Sequence, residues 1–105
     1  MRGWIGVDLD GTLAYYEGWD GGSIGEPIEP MVRRVKKWLK EGKKVKIFTA
    51  RMHLDDGSQE RAIKDWCAEH IGKELEVTCC KDYAMMELWD DRVRQVEKNT
   101  GKIKY

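Results

Sequence analysis

The sequence has no excess of charge, because 19 Lys and Arg residues balance 19 Asp and Glu residues to give a formal net charge of +0. A neutral chain has no bulk attraction for nucleic acid or for an anionic membrane, so any binding of a polyanion must be local. Long apolar runs are also missing, since none approaches the roughly 18 residues that a membrane-spanning helix needs, and the N-terminus has no apolar leader region. These absences predict a cytoplasmic protein that makes no membrane contact.

Cysteine is scarce, with only Cys67, Cys79 and Cys80 in the chain. An odd number of cysteines, two of them adjacent, argues against a disulfide framework, and no CxxC pair is present for a metal or for redox chemistry. We therefore expect all three thiols to pack in the interior. Internal repeats and low-complexity tracts are absent as well, and 105 residues with 41% hydrophobic composition predict a single domain over residues 1–105.

Short β-rich runs alternate with amphipathic helical patterns along the chain. Strands are predicted at residues 4–9, 43–49, 75–79 and 85–90, and helices at residues 30–42 and 58–71. Strands that alternate with helices favour right-handed crossovers and a parallel sheet covered on both faces. The predicted fold is therefore a three-layer, Rossmann-like α/β domain in which helices flank the sheet.

Two further segments are predicted from composition alone. Residues 15–26 are rich in Gly and aromatic residues, which indicates a loop or a small hairpin rather than a crossover helix. Residues 93–105 fit a short edge strand, with a helical turn as the alternative.

The stretch IGVDLDGTL, which begins at Ile5, places two carboxylates at the end of an apolar run. Asp10-Gly11 between apolar flanks is typical of a two-residue β-hairpin, and the neighbouring residues alone do not exclude this interpretation. It leaves Asp8 unexplained, because a carboxylate in a buried strand costs several kcal/mol unless a nearby charge compensates it. The stretch therefore predicts a cation or a basic side chain beside Asp8.

Other predicted strand ends carry polar groups too: Thr49, Lys81 and the pair Asp90-Asp91. Ligands of open parallel sheets bind at the carboxyl ends of the strands, so we expect these groups to meet there. Clustered carboxylates repel one another, and a hard divalent cation such as Mg²⁺ would hold them together. Each residue alone also has a structural explanation, as a helix cap or a solvated loop residue.

These residues resemble the haloacid dehalogenase (HAD) superfamily of phosphatases. Its four motifs match, in chain order, VDLDGTL, FTAR, Lys81 and ELWDDR, and the similarity extends from Ile5 to about Val96. The chain looks closest to small members of bacterial and phage type, since no segment is long enough to form a cap domain. Receiver domains use similar residues, but their acidic pair comes first and their Lys comes last.

The resemblance implies a role for each matching residue. Asp8 would be the nucleophile that forms an aspartyl-phosphate, and Asp10 would be the general acid and base. Mg²⁺ would be held by the carboxylates of Asp8 and Asp90 and by the backbone carbonyl of Asp10.

The phosphoryl oxygens would be held by Thr49, Lys81 and the backbone amides of Gly11 and Thr12. Asp91 would orient Lys81 or a metal-bound water.

Several neighbours of the motifs have two interpretations each. Arg51 and Arg92 could clamp a second anionic group of the substrate, although surface salt bridges are slightly favoured for both. Trp19 lies in the loop beside the expected site and could stack on a substrate ring or anchor the loop. The basic run from Arg33 to Lys46 fits a solvated helix surface better than a nucleic-acid site.

The sequence thus predicts a Mg²⁺-dependent phosphomonoester hydrolase with an aspartyl-phosphate intermediate. Its substrate would be a small phosphorylated metabolite, a nucleotide or a nucleic-acid end, with nucleic acid less favoured. The alternative is a non-catalytic HAD-like module that binds metal or phosphate in regulation or assembly. Because the site would lack a cap, a second copy of the chain in a homo-oligomer could cover it, although no sequence feature indicates one.

Overall fold

The computed structural model describes residues 3–53 and 55–105 as an α/β protein. Its elements are β1 (Trp4–Val7), α1 (Glu29–Lys40), β2 (Lys44–Phe48), α2 (Ser58–His70), β3 (Glu76–Thr78) and β4 (Met85–Trp89), with a 3₁₀ turn at Ala50–Met52. All strand pairs are parallel, and the sheet order is β3-β2-β1-β4. The predicted order of elements and the parallel sheet are confirmed. None of the helices in the described residues is both long and apolar enough to cross a membrane.

Both helices follow from apolar periodicity and glycine stops. Helix α1 has a Pro in its first turn and buries Met31, Val32, Val35 and Trp38, which recur at helical spacing. Gly42 follows it with a φ of +82°, a conformation that glycine adopts without steric cost and that ends the helix. Helix α2 is terminated in the same way, by Gly72 at a φ of +94°.

One face of the sheet carries the hydrophobic core. Parallel register sets Ile5 beside Val45, and Val7 beside Ile47, so their side chains point to the same side. The buried residues of α1 and α2 belong to the same apolar cluster as these strand residues. Full burial of such a side chain contributes about 1.5–3 kcal/mol, so this cluster is the main source of stability.

The opposite face of β1 presents Trp4, which is buried and contacts two charged side chains. The ammonium of Lys46 lies 4.4 Å from the centre of the Trp4 indole ring. The indole Nε1–H donates a hydrogen bond of 2.9 Å to Asp82 in the connection between β3 and β4. This connection, residues 79–84, therefore reaches the start of β1, and the Ala84 carbonyl accepts the Trp4 amide at 2.9 Å.

The hairpin alternative for Asp10-Gly11 is not what the structure has, because the amides of Leu13 and Ala14 both bond to the Leu9 carbonyl and close a tight turn. The edge strand predicted for the end of the chain also differs from the structure. Residues 93–105 form no regular strand and are exposed, with one isolated bridge between Val96 and Ile103.

The cysteines also behave differently from one another. Cys67 is buried in α2, as predicted, but Cys79 and Cys80, which follow β3 in its connection to β4, are exposed. The predicted burial of these two thiols is therefore wrong.

Candidate active site

Three carboxylates meet at the carboxyl ends of β1 and β4. Asp8 follows β1 directly, Asp90 and Asp91 follow β4, and one oxygen from each lies within 4.8 Å of the others. The two strand ends are held together by the Asp8 amide, which donates to the Trp89 carbonyl at 2.9 Å. Trp89 in turn packs against Trp38 of α1, with ring centres 5.2 Å apart. The sheet and the helix thereby fix the positions of the three acids.

The negative charge of this cluster has no ion-pair partner within residues 3–53 and 55–105. In the described part of the chain, no basic side chain forms an ion pair with Asp8, Asp90 or Asp91. The pKa of Asp8 is raised from 3.8 to about 7, first by burial, then by the charge of Asp90, and then by a hydrogen bond with Asp91 and the charge of that residue. A cation bound among these oxygens would compensate the repulsion between the three carboxylates.

Asp10 lies beside the cluster but is paired with Arg51. The guanidinium makes a bidentate contact, with Nε 2.7 Å from one Asp10 oxygen and Nη2 2.8 Å from the other. The Arg51 side chain is only 4% exposed, so the ion pair is largely shielded from water.

The remaining donors of Arg51 bind the chain as well. They reach the backbone carbonyls of Gly22 and Ser23 at 2.7 and 2.9 Å, and the Gln59 side-chain oxygen at 3.1 Å. A guanidinium has five N–H groups, and all five are thus engaged within the protein. The salt-bridge interpretation of Arg51 therefore describes this geometry, and no donor remains for a second anionic group of a substrate.

Thr49 and Thr12 both lie beside the acidic residues. Thr49 is buried, and its Oγ1 accepts a hydrogen bond of 3.1 Å from the Arg51 amide, which leaves its own proton to be donated. The Thr12 hydroxyl donates to Asp91 at 3.1 Å.

Gly11 sits tightly against Asp91. Its φ is +87°, and a Cβ at this position would lie 2.7 Å from an Asp91 carboxylate oxygen. Its amide donates to the Ala14 carbonyl at 2.8 Å, and the Thr12 amide makes a longer bond of 3.4 Å to the Leu9 carbonyl. The predicted pair of amides for phosphate is therefore engaged within the turn in this structure.

Lys81 is not brought to the carboxylates. It is exposed and lines a cavity with Asp82, Tyr83 and Met85, whereas Asp8 lines two different cavities. The physical reason is the short connection between β3 and β4, which must cross the sheet to reach the start of β4. Asp82 is bonded to Trp4, at the opposite end of β1 from Asp8.

Two open cavities of about 370 and 390 Å³ share Asp8, Thr49, Ala50 and Arg92. Arg92 is the basic residue common to both, and its amide donates to Asp90 at 2.7 Å. The sequence favoured a surface salt bridge for Arg92, yet the structure shows no such bridge among the described residues. The sequence had also offered Arg92, from its position directly after Asp91, as a clamp for a second anionic group.

Two aromatic side chains belong to the lining of the 370 Å³ cavity. Trp19 and Tyr16 both line this cavity and are 61% and 44% exposed. The Trp19 ring lies over the Arg51 guanidinium, whose central carbon is 5.0 Å from the ring centre. His53 also lines this cavity.

Comparisons with protein-family models, curated proteins and solved structures found no match to this chain.

Proposed function

We propose that this chain is a Mg²⁺-dependent phosphomonoester hydrolase of the HAD superfamily that acts through an aspartyl-phosphate at Asp8. The observation that carries the proposal is the partly buried, unbalanced carboxylate of Asp8 beside Asp90 and Asp91, at an opening into two cavities. The strand order β3-β2-β1-β4 supports the Rossmann-like fold that the resemblance implies. In that three-layer arrangement, residues 79–84 would cover the Trp4 face in place of a helix.

The donor set fits a hard divalent cation. Three carboxylates within reach of one point suit Mg²⁺, which prefers oxygen ligands and keeps several waters. Asp8 and Asp90 would hold the ion together with the Asp10 carbonyl, while Asp91 stands next to them. Bound Mg²⁺ would neutralise local charge, so that an anionic phosphate can approach an anionic carboxylate.

The reaction divides into two steps. First an Asp8 oxygen bonds to phosphorus while the ester oxygen leaves, and Asp10 gives that oxygen a proton. A water molecule then attacks the same phosphorus, Asp10 accepts its proton, and the Asp8 carboxylate and inorganic phosphate are released. Because Arg51 holds both Asp10 oxygens, the pair must loosen for each proton transfer.

Two side chains are placed to stabilise the phosphoryl oxygens. Thr49 can donate its hydroxyl proton, and Arg92 lines both cavities beside Asp8. We assign to Arg92 the cationic role that the resemblance gives to Lys81, because Lys81 lines a different cavity.

The test is Mg²⁺-dependent release of phosphate from an aryl phosphate and from a panel of phosphorylated metabolites. Asp8→Asn should abolish turnover, whereas the matched control Asp65→Asn, an exposed position on α2, should keep it. Full activity of a folded Asp8→Asn protein would refute the covalent route. Arg92→Ala should lower kcat strongly and Lys81→Ala should not, and the reverse result would restore Lys81 to the site.

The non-catalytic module is the second candidate, and the Asp10–Arg51 pair favours it. An acid held at both oxygens by a guanidinium is poorly suited to proton transfer, but it suits a rigid binding site. Metal binding without phosphate release from any compound of the panel would support this module.

A further inference from the structure

The loop of residues 15–26 is fastened to the protein at several points. Its base is closed by a hydrogen bond of 2.8 Å from the Tyr15 amide to the Glu26 carbonyl. Near its end, the Trp66 indole donates to the Gly25 carbonyl at 3.0 Å. Its middle is held by Arg51, through the two carbonyl contacts already described. Trp19 is therefore carried on a loop with fixed anchor points.

The indole of Trp19 has one face toward a cation and much of its surface toward solvent. Arg51 lies under the ring, and its N–H groups are all engaged, so the guanidinium serves as a stable platform. Although the ring is large and apolar, 61% of its residue surface stays exposed at the cavity that contains Asp8 and Asp10. Core packing does not account for this placement.

We propose that Trp19 is the wall of a ring-binding subsite and that the substrates are phosphomonoesters with a planar aromatic ring, of the nucleoside monophosphate class. This inference rests on the proposed function for the phosphate end of the substrate. An exposed π-face held in place offers stacking to any nucleobase at little cost in conformational entropy. Tyr16, on the same cavity, adds a second aromatic side chain. A sugar phosphate without a base would leave this surface unused.

The experiment compares a nucleoside 5′-monophosphate with ribose 5-phosphate, which lacks only the base. The unmodified protein should prefer the nucleotide, and Trp19→Ala should lower kcat/KM for the nucleotide roughly five- to 150-fold, mainly through KM. Activity toward ribose 5-phosphate should not change, and Trp19→Phe should keep most of the preference. Tyr83→Ala, which removes a fully exposed aromatic ring at a different cavity, is the matched control.

Equal losses for both substrates in Trp19→Ala, or no preference for the nucleotide in the unmodified protein, would overturn the subsite. A binding measurement separates failure of the subsite from failure of the proposed function. In the Asp8→Asn protein, which cannot turn over, calorimetric titration with the nucleotide should still depend on Trp19. If no compound releases phosphate but Trp19→Ala still weakens nucleotide binding, the hydrolase fails and the subsite stands.

Discussion

Replacing Asp8 by Asn should stabilise the protein at neutral and alkaline pH when divalent cations are removed, although it deletes the proposed nucleophile. The raised pKa of Asp8, about 7 against 3.8, gives the sign. Below about pH 4 the carboxyl is protonated in both folded and unfolded states, so its ionisation costs nothing. As the pH rises toward 7 the unfolded chain loses this proton first, and the wild-type protein loses stability. Asn carries no charge, so the stability of the Asp8→Asn protein does not fall in this way.

The size of the effect follows from the same pKa. Each pKa unit corresponds to about 1.4 kcal/mol, so the rise from 3.8 to about 7 sets an upper bound of roughly 4 kcal/mol. Asp8 is only partly buried, and screening by solvent reduces the expected gain to about 2 kcal/mol. In a domain of this size, about 2 kcal/mol corresponds to an increase in Tm of roughly 10 °C.

The assay is thermal unfolding followed by circular dichroism, in a chelating buffer between about pH 5 and pH 8. The Tm of Asp8→Asn should exceed that of the wild type by a margin that widens as the pH rises and levels off above about 7. Asp65→Asn should follow the wild type, because Asp65 is exposed and paired with Arg61. A margin that does not change with pH, or an Asp8→Asn protein that is less stable at about pH 8, would refute the electrostatic reasoning.

Three further predictions concern packing. Gly25→Ala should lower the Tm markedly in a melting experiment, because its Cβ would overlap the Tyr15 carbonyl oxygen, and an unchanged Tm would contradict this contact. Cys67 should react with a thiol reagent only after unfolding, since burial raises its pKa to about 12, whereas the two exposed cysteines should react in the native protein. Gly11→Ala should weaken Mg²⁺ binding at least about tenfold in calorimetry, because the added Cβ would press on Asp91 and the backbone conformation there disfavours any side chain. Equal Mg²⁺ affinity of the variant and the wild type would argue against the site.

Local pattern predicted those features that depend on neighbouring residues in the sequence. Apolar periodicity located the four strands and the two helices, and glycine marked where each helix ends. The meeting of Asp8 with Asp90 and Asp91 was also predictable, because the carboxyl ends of adjacent parallel strands share one edge.

Features that depend on the path of the chain could not be predicted in this way. Lys81 was predicted to join the carboxylates, but the short connection after β3 places it at a cavity that Asp8 does not line. Arg51 finds its partners in Asp10, in the loop of residues 15–26 and in α2, and no local pattern connects these segments. Tertiary packing therefore decided both positions.

The most direct test of the central claim is calorimetric titration of the protein with Mg²⁺. One site should be present in the wild type and in Asp65→Asn, and it should be lost or strongly weakened in Asp8→Asn and in Asp90→Asn. A wild-type protein that binds no Mg²⁺, or an Asp90→Asn protein that binds it as tightly as the wild type, would contradict the claim that these carboxylates share one ion.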